Sequence, residues 1–182
     1  MARLYLIRHG EPASGWAQAD PDPGLSALGR AQAAHAAGVL GRSGVCRALT
    51  SPLRRCRETA AAFEMEAGVV AAVEMAVREV PTPDHVTDRP AWLAEVMAGP
   101  WSAVPDLAPF RRAIIDCLLA QETDTAIFSH YVAINAAVSA AVGSGSVMVF
   151  KPAHASVTVI ETTAGELRLI EKGAETPAVN AL

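Results

Sequence analysis

The chain has 182 residues, enough for one domain with a sizeable core, and its longest apolar runs fall short of the ~18 residues of a membrane span. A net charge of −4 gives no reason to expect nucleic acid as a partner, so any anion site must be a local basic cluster within a mildly acidic surface. Hydrophobic residues make up 51% of the chain but aromatics only 5%, which predicts a core of Ala, Val, Leu and Ile. Cys46, Cys56 and Cys117 are odd in number and lack metal spacing. They read as reduced thiols of a cytoplasmic protein. The strand pattern starts at the first residues, leaving no room for a signal peptide.

Leu4, Tyr5, Leu6 and Ile7 are four apolar residues in a row, the pattern of a strand buried on both faces. Arg8 and His9 follow where that strand should end, and Gly10 is expected to let the backbone turn sharply. In an open α/β sheet, ligands bind beyond the carboxyl ends of the strands. A cation and an imidazole there point to an anion site holding a nucleophile or base; a solvated polar strand end is the alternative. Residues 11–24 carry three prolines and read as a loop over the site. A helix is expected from about 25 to 40, capped by Ser26, with His35 an ordinary helix residue.

Residues 45–50 predict a second strand. Ser51 and Pro52 then suit a helix start, Ser as the cap and Pro at the first helical position, where its missing N–H costs nothing. Leu53, Cys56, Ala60 and Phe63 recur at helical spacing and should face the core. Arg54, Arg55 and Arg57 crowd the same helix start, where the dipole disfavours cations unless an anion is bound or the side chains are solvated. Residues 69–73 predict a third strand, followed by Glu79 in a segment stiffened by Pro81 and Pro83, a place for a general acid or a surface carboxylate. Residues 84–104 hold Trp92 and Trp101 and read as an inserted helical lid. Residues 106–121 form an amphipathic pattern with Phe110, Ile114 and Leu118 on one face. Residues 125–130 repeat the opening pattern, a buried strand ending in a histidine, His130. An uncharged helix over 132–142 follows, and a hairpin turning at Ala164–Gly165 joins strands at 156–161 and 167–171. The tail after 173 is expected to fray.

Four blocks then carry a resemblance. Leu6-Ile7-Arg8-His9-Gly10-Glu11, Leu25 to Ala33, Ser51 to Ala60 and Ile127-Phe128-Ser129-His130 resemble, in order and spacing, the signatures of the histidine phosphatase superfamily, the phosphoglycerate mutase-like proteins. The likeness spans nearly the whole chain. It implies a three-layer α/β/α sandwich with a mainly parallel sheet, the late hairpin supplying edge strands. By resemblance His9 is the phosphorylated nucleophile, and Arg8, Arg55 and His130 form the phosphate pocket. The Ser-x-Leu-x-Arg register selects Arg55 over its neighbours. Glu79 falls about where the family keeps its proton donor, with Glu74, Asp84 and Asp88 as rivals.

The residue types fit that chemistry. Arginine holds a phosphomonoester dianion in a planar fork at any working pH. A neutral imidazole can attack phosphorus, with its other nitrogen donating to a carbonyl; His130 is expected to serve protonated, as a further donor. No cofactor is implied, and no clustered His/Asp/Glu spacing calls for a metal. The chain departs from the pattern at Ser14, which stands where the family often has Asn, and at Tyr131, which follows the second histidine in place of Gly. Both are assigned to the phosphate site. His154 is a further candidate to line the pocket, and His85 is left unassigned in the lid. A Pro81-Thr82-Pro83 segment in place of the mutases' Glu- and Gly-rich one favours a phosphatase of small phosphomonoesters, a histidine acid phosphatase. Alternatives are mutase-type phosphoryl transfer, dephosphorylation of phosphohistidine proteins, a metal-dependent hydrolase using His9 and His130, and a non-catalytic binding protein on the same fold. The expected partner is a small phosphorylated substrate rather than nucleic acid or membrane; the oligomeric state is not specified.

Overall fold

The computed structural model describes residues 1–13 and 20–176. Ser14 lies outside the described residues. Among the described residues six strands form one mixed sheet: β1 (Ala2–Arg8), β2 (Arg47–Thr50), β3 (Ala71–Val73), β4 (Thr125–Ser129), β5 (Val157–Thr163) and β6 (Glu166–Glu171), in the order β3-β2-β4-β1-β5-β6. The first four are parallel, and β5 joins β1 antiparallel. Only β6 of the hairpin is therefore an edge strand, with β3 the opposite edge. The hairpin turns where expected: Ala164 and Gly165 both have positive φ (52° and 82°), matching the right-handed twist of the strands they join.

Helices among the described residues cover both faces. Leu4 and Leu6 of β1, Leu49 of β2 and Ile127 of β4 point into one core, shared with α3 (Arg89–Ala98), α4 (Ala108–Leu119) and α5 (Tyr131–Ala141). Ile7, Ala48, Ala126 and Phe128 point the other way, against α1 (Ala27–Gly41) and α2 (Arg54–Ala67). Alternate residues of β1, β2 and β4 thus serve opposite cores, which is why β1 and β4 read as apolar runs over 4–7 and 126–128. This is the three-layer arrangement the sequence implied.

Three local expectations are revised. Ser51 does not cap α2, which begins three residues later. Asp22 reaches in from the preceding loop instead, its carboxylate accepting from Arg54 N at 2.9 and 3.1 Å. This frees the Ser51 hydroxyl for the site. Gly10 has no left-handed φ; its need is space, since a Cβ there would lie 2.5 Å from Gly29 O. Residues 174–176 do not fray, because Ala153 N donates to Ala174 O and Thr176 N to Lys151 O, both at 2.8 Å.

The Gly10–Gly29 approach yields a sharp expectation. A Cβ on Gly29 would overlap the backbone carbonyl of Glu11, and main chain cannot swing aside as a flexible side chain can. Gly29→Ala should therefore push the start of α1 off the residues after His9. The expected cost is about 3 kcal/mol, a fall of roughly 10 °C in Tm. Thermal unfolding checks it, and an unchanged Tm would refute the close-approach reading.

The segment expected as a lid is anchored rather than loose. Leu93, Val96 and Trp101 are buried in the α5-side core. Trp101 Nε1 donates to Ser139 Oγ at 3.0 Å, and Val147 N donates to Gly99 O, also at 3.0 Å.

Candidate active site

The parallel strands deliver the site from their carboxyl ends. His9 follows β1 and His130 follows β4; Arg8 and Ser129, the residues before them, are register partners. The two imidazoles consequently stand side by side, ring centroids 5.3 Å apart. Helix α2 enters from beyond β2, its Arg55 buried while Arg54 and Arg57 face solvent. One turn later on the same face, Thr59 Oγ1 accepts from Gly10 N (3.0 Å) and donates to Arg55 O (2.7 Å), tying the helix to the turn after His9.

Hydrogen bonding decides the state of His9. Its Nδ1 lies 2.8 Å from Gly10 O, which can only accept, so the proton sits on Nδ1. Nε2 keeps its lone pair, and Arg55 Nε donates to it at 3.3 Å. Burial, then the Arg55 and Arg8 charges, hold the His9 pKa well below the usual histidine range.

Arg55 links the other members. Its Nη2 lies 3.1 Å from Glu79 Oε2 and 3.2 Å from His130 Nδ1. His130 is wholly buried, with Nε2 2.7 Å from Ser51 Oγ. Burial, then His9, Arg55, Arg8 and Arg89, hold its pKa well below the usual range. The expectation of a protonated His130 is therefore revised: too many positive neighbours crowd a desolvated ring, and it stands neutral. Arg55 Nη2 can only donate, so His130 Nδ1 accepts and the ring proton sits on Nε2, which donates to Ser51 Oγ.

Glu79 is placed differently from its rivals. Its Oε1 accepts from Val80 N (3.0 Å), and its Oε2 also lies 3.5 Å from His130 Nδ1. Glu74 accepts from Ala76 N and Asp88 from Ala91 N, each capping its own short helix, and Asp84 is exposed.

Arg8 is held at both terminal nitrogens: Nη1 donates to Pro152 O (2.8 Å) and Nη2 to His154 Nε2 (2.9 Å). Its guanidinium lies over the Tyr131 ring, 5.1 Å from the centroid. Tyr131 thus meets the cluster through Arg8, while its hydroxyl donates to Met148 Sδ at 3.1 Å. His35, Cys46 and His85 have no part in this cluster. Cys56 does touch it, Sγ 3.4 Å from His130 Nε2, but burial pushes its thiol far up, so it remains a neutral packing group. Among the described residues no group of three or more His, Cys, Asp or Glu is arranged to hold a metal ion, and no helix is long and apolar enough to cross a membrane.

Two histidines side by side, two inward arginines and a carboxylate meet at the carboxyl ends of the strands, and a family model settles the kinship. The model of the histidine phosphatase superfamily (branch 1) matches residues 4–174. This chain belongs to that superfamily. No curated protein matches the sequence of this histidine phosphatase superfamily member significantly. Among solved structures it is similar to a mycobacterial glucosyl-3-phosphoglycerate phosphatase complexed with inorganic phosphate (TM-score 0.76, 24% identity, covering 96% of this chain and 98% of that one). It is also similar to a protein described as mycobacterial hydrolase 2 (TM-score 0.74, 25% identity, 98% and 93% covered). A phosphoserine phosphatase variant from Entamoeba histolytica, bound to phosphoserine, has the same fold (TM-score 0.72, 20% identity, 96% and 98% covered).

Three contacts of this superfamily member escaped the sequence reading. Ser51 reads from the sequence as a helix cap, although its position just past a parallel strand puts it at the carboxyl end of the sheet. Thr59 stands four residues after Arg55, on the same helix face, and that spacing is the signal that would have found it. The contact of His154 with Arg8 depends on two segments about 146 residues apart, and no local pattern encodes it.

Proposed function

We propose that this chain is a phosphatase of small phosphomonoesters, working through a phosphohistidine on His9 by a route that needs no metal. The observation that carries the reading is the His9 tautomer: Nδ1–H is spent on Gly10 O, and the lone pair on Nε2 faces the Arg55 guanidinium. A phosphoryl group drawn in by Arg8 and Arg55 meets a nucleophile already in its reactive form. Arg8 Nε, buried and without a hydrogen-bond partner among the described residues, is a donor suited to a phosphate oxygen.

In the first step His9 Nε2 forms a bond to phosphorus as the ester oxygen leaves, and Glu79 gives that oxygen its proton. In the second step Glu79 takes a proton from water, whose oxygen bonds to phosphorus as the P–N bond breaks. The arginines stabilise the charge spread over the transferring group in both steps. With the segment at 84–104 read as narrowing access to the site, small substrates are favoured over protein ones, and one domain is proposed to span the chain. Glucosyl-3-phosphoglycerate and phosphoserine, the substrates of the relatives above, are both small phosphorylated acids and head the panel to test.

The test is hydrolysis of such a panel, with 3-phosphoglycerate included so that a mutase would show itself by moving the phosphoryl group rather than releasing it. Phosphate release that survives chelation is expected. No release from any ester, or release abolished by chelator, would overturn the proposal. In the same assay Glu79→Gln should lower kcat roughly 10²- to 10⁴-fold, the range of general acid catalysis. Full turnover in that variant would assign the proton to another group.

The depressed histidine pKa values predict opposite responses of activity and stability to acid. His9 keeps its lone pair as pH falls through about 6.5, where a free histidine protonates, so kcat/KM should persist into acid solution. Stability should not. The unfolded chain takes up protons at His9, His130 and His154 that the folded chain refuses, and unfolding gains from each. Their contribution is fully present above about pH 6.5 and is lost progressively as pH drops below it. Thermal unfolding across pH 4 to 8 checks this; a Tm that does not fall below pH 6.5 would contradict it.

A further inference from the structure

We infer that His154 is a positioning residue for phosphate binding: its neutral imidazole fixes the Arg8 guanidinium in the pocket, and the loop carrying it acts as a clamp on the end of β1. The inference rests on the phosphatase reading above. It begins from the number of grips on one residue. Arg8 N donates to Ser156 O (3.2 Å), and Arg8 O accepts from Ala155 N (3.0 Å). Arg8 Nη1 donates to Pro152 O and Nη2 to His154 Nε2. Four bonds from residues 152–156 therefore hold both the backbone and the side chain of Arg8. Ala155 N also lies 3.3 Å from His9 O, so the same loop touches the backbone of the nucleophile.

The loop is itself held rigid. Ala155 sits at φ 54°, a left-handed conformation that a non-glycine residue adopts only where its surroundings impose it. On the far side, the bonds of Lys151 and Ala153 to residues 174–176 pin the loop to the C-terminal segment. Gly173 lies against it so closely that a Cβ would come within 2.9 Å of Val157 O. The constraint falls where His154 must aim its ring, 5.7 Å between centroids from the ring of His9.

His154 suits the task by its protonation state. A guanidinium only donates, so Nε2 must accept and the proton sits on Nδ1. Burial, then the Arg8 charge, push its pKa down to about 4, against a smaller opposing pull from Glu11. The ring is thus an acceptor at any ordinary pH. With one hydrogen of each terminal nitrogen so engaged and the guanidinium flat on Tyr131, the buried Arg8 Nε is directed rather than free to rotate. Pre-orienting a rotamer-rich side chain removes an entropic cost from each binding event.

The experiment compares wild type, His154→Phe and His154→Gln. Phe keeps a ring but has no acceptor; Gln restores an acceptor oxygen. Binding of inorganic phosphate is measured by calorimetry, and kcat and KM with p-nitrophenyl phosphate. Losing a charge-assisted hydrogen bond should raise the phosphate Kd and the KM of His154→Phe roughly tenfold or more, with kcat within about threefold. His154→Gln should stay within about threefold of wild type in all three. Unchanged Kd and KM in folded His154→Phe would overturn the inference. So would a fall in kcat at constant KM, which would make His154 a proton-transfer group. Should His154→Phe fail to fold, a tenfold weaker Kd in folded His154→Gln overturns it, and a Kd within threefold supports it. Failure of wild type to bind phosphate or hydrolyse any ester would instead count against the phosphatase reading.

Discussion

His9→Ala should abolish turnover, with kcat lower by roughly 10⁴-fold or more, as expected when the nucleophile of a covalent route is removed. The size of the effect follows from how the site is arranged around one atom. The His9 Nδ1–H bond to Gly10 O fixes the tautomer, Thr59 fixes the turn, and Arg55 fixes the direction of approach. None of these substitutes for the missing nitrogen. Alanine also removes a buried ring beside His130, so a modest loss of stability accompanies the loss of activity. Steady-state kinetics and thermal unfolding separate the two. A folded His9→Ala protein retaining a tenth of wild-type kcat would show that the imidazole is not the nucleophile.

Arg55→Leu should be nearly as severe, lowering kcat/KM about 10³-fold. The guanidinium does three things at once. It donates to His9 Nε2, bonds Glu79 Oε2 and contacts His130 Nδ1, all at 3.1 to 3.3 Å. Leucine fills the space but leaves a largely buried Glu79 carboxylate, its side chain 12% exposed, without that cation. Arg55→Lys should recover only part of the loss, because a point charge cannot meet three partners in different directions. Arg54→Leu, by contrast, removes an exposed cation paired with Glu58 and should change kcat/KM less than twofold. Equal effects at Arg54 and Arg55 would contradict the geometry. The helix start with three arginines is thus resolved: one turns inward and two face solvent.

The sequence made the framework legible because the parallel strands are buried on both faces. Residues 4–7 and 126–128 each read as an apolar run, and each is followed two residues later by a histidine that the topology then sets beside the other. Arg55 was legible only through its position in a block of known spacing, since the helix start alone offered three equal candidates. What stayed hidden depends on contacts between distant segments. Asp22 replaces Ser51 as the partner of the α2 N-terminus, and Ser51 turns to His130 instead. Gly10 looked like a bend, but its reason lies in α1, where Gly29 meets it backbone to backbone. Charge states were hidden for the same reason. Whether His130 is protonated depends on how many cations surround it, and Arg8, Arg55 and Arg89 come from three separate stretches of chain.

The covalent step is open to direct observation. Wild-type protein mixed with a phosphomonoester labelled with ³²P and quenched in alkali within milliseconds should carry label on the protein. That label should be stable to base, labile to acid, present on the peptide containing His9 and missing from His9→Ala. Rapid hydrolysis of the ester with no protein-bound label at any quench time, or label of equal amount in His9→Ala, would contradict a phosphohistidine at His9.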